Sequence, residues 1–188
     1  MAGTYGGRKT VIRLTLTAMF MALNIVLSSF SVPVPGGHLY LNDVAICFAA
    51  ILLNPFEAFV VGGIGAFLGD LFFYPAPMFV SLVVHGLQAV VISLFAHYIM
   101  KKHPVVSSGI GVTIGAIIMV VGYTFGRVYI YGVGDDVSAL WVGSIAKLPF
   151  QCLQAGVGAV LGMILAYPSQ LRKVFQKIVG EKPYAISK

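Results

Sequence analysis

Two basic residues, Arg127 and Lys147, stand among apolar neighbours, where a charge on a bilayer-crossing helix costs about 2.5–3.5 kcal/mol at the membrane centre. Polar company at helical spacing accompanies each. Tyr123, Arg127 and Tyr131 share one helix face, and Lys147, Gln151 and Gln154 share another. His85 and Gln88 form a third. Two fixed cations, several amide donors and an imidazole make a binding surface. The sum of Arg127, Lys147 and Asp70 is positive, which favours an anionic or acceptor-rich ligand. Catalysis is poorly served, because no nucleophile–base pair can be placed and no metal ligands stand at i,i+4. The plain alternative is an internal network in which Asp70 neutralises one cation and the glutamines satisfy backbone. It accounts for any one of these residues more easily than for all of them.

Six apolar segments must position these groups. Of the 188 residues, 59% are hydrophobic and 10% are charged, and the mean hydropathy is +0.94. A soluble domain has no interior large enough for that much apolar surface. An integral membrane protein is expected, and a nucleic-acid-binding module is excluded. Prolines 33, 35, 55, 75, 77 and 104 break the apolar runs, and Gly-Val-Gly-Asp-Asp at 132–136 breaks them once more. The segments are 11–30, 41–53, 57–73, 78–100, 105–131 and 137–167. The fold class is therefore an all-α membrane protein with six transmembrane helices in one bundle. Residues 1–168 make the membrane domain, and 169–188 a cytoplasmic tail able to form an amphipathic helix. The second segment is short for a full crossing.

Ten of the twelve Lys and Arg residues fall on the side of the two termini, namely 8, 9, 13, 101, 102, 172, 173, 177, 182 and 188. The opposite loops hold Asp43, Asp135 and Asp136 instead. The positive-inside rule then places both termini in the cytoplasm, and the net charge of +6 reflects that bias. Arg127 and Lys147 lie in the outer half of the membrane. With His85 and Gln88 at similar depth, they describe a pocket open to the outside. Pro149, between Lys147 and Gln151, frees the carbonyl of Ile145 and bends its helix. Tyr40, Tyr74, Tyr129, Tyr131 and Trp141 gather near the outer boundary, as a belt or as pocket lining.

The first apolar run exceeds the 7–15 residues of a signal peptide and lacks a good cleavage site, so it reads as a membrane helix. Cys47 and Cys152 read as small packing residues. Small residues recur four apart at 18/22, 65/69, 111/115, 122/126 and 158/162, the spacing that lets membrane helices approach closely. Ala18 and Ala22 form a smooth stripe on which another membrane subunit could dock. Gly6-Gly7-Arg8-Lys9-Thr10 lacks the spacing of a phosphate-binding loop, so the chain alone cannot use ATP. No 20–50-residue repeat supports an inverted-repeat carrier.

These stretches together carry a resemblance. They are Ala18-x-x-x-Ala22, the Pro/Gly-rich loop through Gly36-Gly37, Gly62-Gly63-Ile64-Gly65-Ala66-Phe67-Leu68-Gly69-Asp70, His85-Gly86-Leu87-Gln88-Ala89 and Pro149-Phe150-Gln151. In length, topology and motif order the chain resembles the substrate-binding S components of energy-coupling factor (ECF) vitamin transporters. The resemblance implies a solitary six-helix subunit in the plasma membrane that captures a water-soluble vitamin or precursor. It implies docking, through Ala18 and Ala22, on a transmembrane T component bearing two ATPases that use ATP and magnesium. This chain itself would need no cofactor, and its Met1-Ala2-Gly3 start is unlike that of the nickel and cobalt members.

Members of the family bind their ligand with helices four to six and the loops after helices one, three and five. That sets Tyr40, Asn42, Tyr74 and Trp141 beside His85, Gln88, Tyr123, Arg127, Lys147 and Gln151 as the substrate-binding set. The His85–Ala89 and Pro149–Gln151 stretches look most like the hydroxymethylpyrimidine and pyridoxine branch. Relatives often carry Lys and Glu where this chain has His85 and Gln88. The positive sum of the intramembrane charges points instead to a carboxylate ligand such as pantothenate. An intramembrane enzyme and a small channel or assembly protein are the rival classes.

Overall fold

In a computed structural model of the protein, Pro55, Pro77 and Pro104 stand at or just before helix starts, while Pro33 and Pro35 lie in the first loop and Pro149 inside a helix. The structure describes residues 3–35, 37–132 and 134–180, with the backbone alone at 3–6, 37 and 131. Helix α1 spans Gly3–Ser29 and α2 spans Asn42–Leu52. The next three are α3, Pro55–Phe73, α4, Met78–His97, and α5, Pro104–Gly126. Helix α5 runs on through a wider π-type turn at Arg127–Tyr131. Helix α6 spans Val137–Ala166 and α7 spans Leu171–Val179. The start of α3 shows the local logic. Asn54 accepts the Glu57 N–H at 2.9 Å, the Glu57 carboxylate accepts the Asn54 N–H, and Pro55 supplies the first helical φ. Glu57 also takes a two-pronged ion pair from Arg13 on α1, at 2.8 and 2.6 Å.

The protein is all-helical as expected, with one small addition between α1 and α2. The loop through Gly36-Gly37 carries an antiparallel hairpin of β1, Ser31–Val34, and β2, Gly37–Tyr40. Pro35 begins the turn between the strands, and Pro33 is tolerated because each strand has a free edge.

Among the described residues, five helices are long and apolar enough to cross a bilayer. Helix α2 is the exception. Its 11 residues reach only about 16 Å, and nine of them are buried. It is the central core helix, sheltered by α1, α4 and α6. Ile46, Ala50 and Ile51 pack there with Ala89 and Ile92 of α4 and Val112 of α5. Helix α7 lies against the terminal end of the bundle. It buries Phe175 and Val179 beside Leu52, Leu53 and Val61, while Arg172 donates to the Ala96 carbonyl at 2.9 Å. Residues 181–188, including Lys182 and Lys188 of the expected tail, lie outside the described residues.

Four of the five small-residue pairs sit at helix contacts. A Cβ on Gly65 or Gly69 would strike Asn24 or Ser28 of α1, and the two pairs on α5 abut α4. Gly158 and Gly162 of α6 meet Asp43 and Cys47 of α2. A Cβ at Gly158 would fall 2.5 Å from Asp43 Cβ and 3.0 Å from its carbonyl carbon. Gly158→Val is therefore expected to force α2 from α6, costing about 1–3 kcal/mol. Thermal unfolding in detergent should drop by roughly 5–10 °C. Gly156→Val, where an added Cβ meets nothing within 4 Å, should leave it unchanged. The fifth pair, Ala18 and Ala22, is exposed on the outward face of α1.

Candidate functional site

The end of the bundle that carries the hairpin, opposite the packed terminal end, encloses a cavity of about 300 Å³. Each wall comes from a different element. The hairpin contributes His38 and Tyr40, the first residue of α2 is Asn42, and α3 and its exit give Asp70 and Tyr74. His85 enters from α4; Met119, Tyr123 and Arg127 come from α5 and its π turn. Helix α6 supplies Leu140, Lys147, Gln151 and Gln154, and Asp135 closes the rim.

Local folding aims these groups. The π turn widens the last turn of α5 at Arg127. Pro149 lies within α6 without ending it, so Lys147, Gln151 and Gln154 stay on one helix. Helix α6 starts cleanly because Asp136 caps it, accepting from Ser138 N–H at 3.2 Å and from Ser138 Oγ at 2.6 Å. Those bonds hold the Asp136 carboxyl below its ordinary range, so it stays ionised beside the mouth. Helix α3 comes close to α4 because a Cβ on Gly62 would meet Ala89 Cβ and the His85 carbonyl, each at 2.7 Å. That approach sets His85 and Asp70 on adjoining walls.

Asp70 accepts from Ser81 Oγ, and Ser81 is also bonded to Tyr123 Oη. The single serine proton goes to the carboxylate, so Tyr123 donates to Ser81. This chain of bonds fixes Tyr123, whose ring stands 5.2 Å from that of His85. His38 stacks obliquely between Tyr74 and Tyr40, with centroids 5.5 and 6.3 Å away, and makes an aromatic wall. Lys147 lies within electrostatic reach of both Arg127 and Asp70. Two buried atoms of the lining, His38 Nδ1 and Asn42 Oδ1, have no hydrogen-bond partner among the described residues. Buried polar atoms of that kind cost free energy until something pairs with them.

Of the ten residues expected to bind substrate, the structure sets eight around this one cavity: Tyr40, Asn42, Tyr74, His85, Tyr123, Arg127, Lys147 and Gln151. The other two stand elsewhere. Gln88 lies one layer behind His85, and its Oε1 accepts from His85 Nδ1 at 2.7 Å. Trp141 packs on the outer surface with Phe125 and Tyr129, at 6.0 and 6.2 Å between ring centroids. The aromatic residues of the expected belt thus divide. Tyr40 and Tyr74 line the cavity, Tyr129 and Trp141 face outward, and the side chain of Tyr131 lies outside the described residues.

Sequence reasoning missed His38, Asp135 and above all Asp43. Asp43, counted with the loops opposite the termini, is 1% exposed inside the first turn of α2. The amide groups of Gln88 and Gln154 bind it at 2.9 and 2.5 Å. The available signal was its place one residue into an otherwise apolar helix, where a carboxylate needs dedicated partners. Asp135 alters the charge balance. With Arg127 and Lys147 against Asp70 and Asp135, the lining carries as many acidic as basic groups. The net positive charge on which a carboxylate ligand depended is not there.

Known proteins match the chain over most of its length. The thiamine precursor transporter HmpT of Lactococcus lactis subsp. cremoris is 32% identical over 163 residues, covering 84% of this chain and 87% of its own. A protein of Pyrococcus woesei, described only by its place in the gap 3′ region, is 28% identical over 148 residues, or 78% of this chain and 93% of its own. The family model of the ECF-type riboflavin transporter S component matches residues 8–173, which takes in every apolar helix just described, and the chain belongs to that family of vitamin-transport subunits.

Proposed function

We propose that the chain is the capture subunit of an ATP-driven importer for a small heteroaromatic vitamin precursor, hydroxymethylpyrimidine first and pyridoxine second. The observation that carries this is the cavity: about 300 Å³, balanced in charge, with an aromatic wall and both donors and acceptors in reach. That volume is at the low end for ligand sites and suits one ring with polar substituents better than the three fused rings of riboflavin. The HmpT relative, named for a thiamine precursor, supports the same choice. Pantothenate loses its main support with the positive excess. The eight lining residues of the expected set are the proposed substrate contacts, with His38, Asp70 and Asp135 added.

The chain crosses the membrane six times in this reading. Helix α2 contributes a partial span covered by its neighbours, and the termini lie in the cytoplasm, where ten of the twelve Lys and Arg residues gather. The cavity then opens outward. Capture requires no chemistry from this chain and no cofactor in it. Energy comes from ATP and magnesium on two ATPases, reached through a transmembrane T component that seats on Ala18 and Ala22. Calorimetric titration of the purified subunit with hydroxymethylpyrimidine, pyridoxine, pantothenate, riboflavin, thiamine and folate tests the proposal. Tight one-to-one binding of hydroxymethylpyrimidine is expected. Binding of riboflavin or pantothenate in its place, or silence toward all six by folded protein, would reject it.

A further inference from the structure

Behind the cavity runs a chain of hydrogen bonds whose polarity is set at one end by a group that can only donate. The backbone N–H of Tyr40, at the end of the hairpin, points to Gln154 Oε1 at 2.9 Å. Gln154 must therefore turn its Nε2 the other way, and that nitrogen donates to Asp43 Oδ2 at 2.5 Å. The second oxygen of the same carboxylate accepts from Gln88 Nε2 at 2.9 Å. Gln88 Oε1 is then left facing His85 Nδ1, at 2.7 Å. An amide oxygen can only accept, so the proton in that contact belongs to Nδ1. Asp43, Gln88 and His85 are each at most 2% exposed, so no solvent competes for these bonds.

We propose that Asp43 is a positioning residue for ligand selectivity: by accepting from two glutamine amides it keeps the proton of His85 on Nδ1 and leaves Nε2 as an acceptor toward the cavity. Its own carboxylate does not line the cavity; it acts on His85 through Gln88, and its Oδ1, 3.9 Å from His85 Nδ1, favours a proton on that same nitrogen. The isosteric substitution Asp43→Asn makes the logic visible. Gln154 still has only a donor to offer, so the substituted side chain must turn its oxygen to Gln154 and its NH₂ to Gln88. Gln88 then reverses, presenting its own NH₂ to His85. Nδ1 becomes the acceptor and the proton moves to Nε2. A change of one atom, relayed through Gln88, thus inverts what the histidine offers a ligand. Asp70 on α3 and Tyr123 on α5 also face His85, and both are untouched by the substitution.

The test is nitrogen-15 NMR of the full chain, labelled at histidine, in detergent at pH 8.5, about two units above the ordinary histidine range. The His85 signals are assigned by their loss in His85→Asn. The unchanged protein should show a protonated Nδ1 and an unprotonated Nε2, and Asp43→Asn should show the reverse. A proton on Nε2 in the unchanged protein, or protons on both nitrogens, would overturn the proposal, as would an Asp43→Asn protein with the tautomer unmoved. Should Asp43→Asn fail to fold, the tautomer of the unchanged protein decides alone.

A second arm rests on the proposed ligand. Hydroxymethylpyrimidine carries an exocyclic amine, a donor suited to an acceptor Nε2. The unchanged protein should prefer it about tenfold over the analogue with a carbonyl oxygen in place of the amine. Asp43→Asn should erase or invert that ratio. An equal loss for both compounds would assign Asp43 a merely structural role and overturn the selectivity claim. A tautomer that switches as expected in a protein binding neither compound would reject the hydroxymethylpyrimidine reading and the selectivity claim, and leave the tautomer claim standing.

Discussion

Arg127→Ala is expected to weaken hydroxymethylpyrimidine binding by about 10- to 100-fold, while the protein still assembles with its transport partners. A hydrogen bond to a charged group is worth roughly 1.5–3 kcal/mol, and each 1.4 kcal/mol is tenfold in affinity. The guanidinium lines the cavity from the π turn of α5, and Gly143 on α6 gives it room, since a Cβ there would lie 3.2 Å from Arg127 Nη2. Its removal also leaves Lys147 to face Asp70 and Asp135 alone, so the lining turns net negative. Arg127→Lys should restore only part of the affinity, because a point charge lacks the planar fork of the guanidinium. Gln151→Ala, which removes a neutral contact, should cost less, about fivefold to tenfold. Titration of each purified variant, beside its recovery with the T component and ATPases, checks this. Undiminished affinity in Arg127→Ala would place the ligand elsewhere.

Ala18→Trp should do the reverse, abolishing uptake and recovery of the assembled transporter while ligand affinity stays within about threefold. Helix α1 is two-faced. Thr17, Asn24 and Ser28 are buried against the bundle, and Asn24 Nδ2 donates to the Val61 carbonyl in α3 at 2.6 Å. A second stripe, with Val11, Leu14, Ala18 and Ala22 about a third of a turn round the helix, is exposed. Membrane helices associate by close packing, since lipid tails offer no hydrophobic gain, and an indole in place of a methyl holds two backbones apart. The substitution points away from the cavity, so it has no route to the binding site through side-chain contact. Co-purification with the T component, and titration of the solitary variant, separate the two functions. Retained assembly in Ala18→Trp would move the docking face off α1.

A good deal of this was present in the order of residues. Proline and charge divide the chain into segments because both are costly inside an apolar helix, and the six stretches so marked are helices in the structure. Spacing also settled which polar residues share a face. Lys147, Gln151 and Gln154 lie along one side of α6, and Tyr123 and Arg127 along one side of α5, as the helical repeat demands. The brevity of 41–53 was plain, and its physical consequence is a core helix.

Other features depend on which faces meet, and no local periodicity encodes that. His38 and Tyr40 approach the cavity only because β2 folds back on β1, and Asp135 arrives from a loop with no repeat to orient it. Trp141 sits six residues before Lys147, about 120° round α6 from it by the helical repeat, but only the seating of α5 beside α6 supplies its partners Phe125 and Tyr129. Gln88 shares a face with His85, but α2, packed between α4 and α6, supplies the carboxylate that draws its amide away from the cavity. Membrane class, helical segments and polar stripes could be read from residue order alone, because they follow from solvent and from geometry within one helix. Which stripes close a site, and which carboxylate stands behind it, was settled by packing, because those contacts join residues up to 114 positions apart where small residues let helices meet.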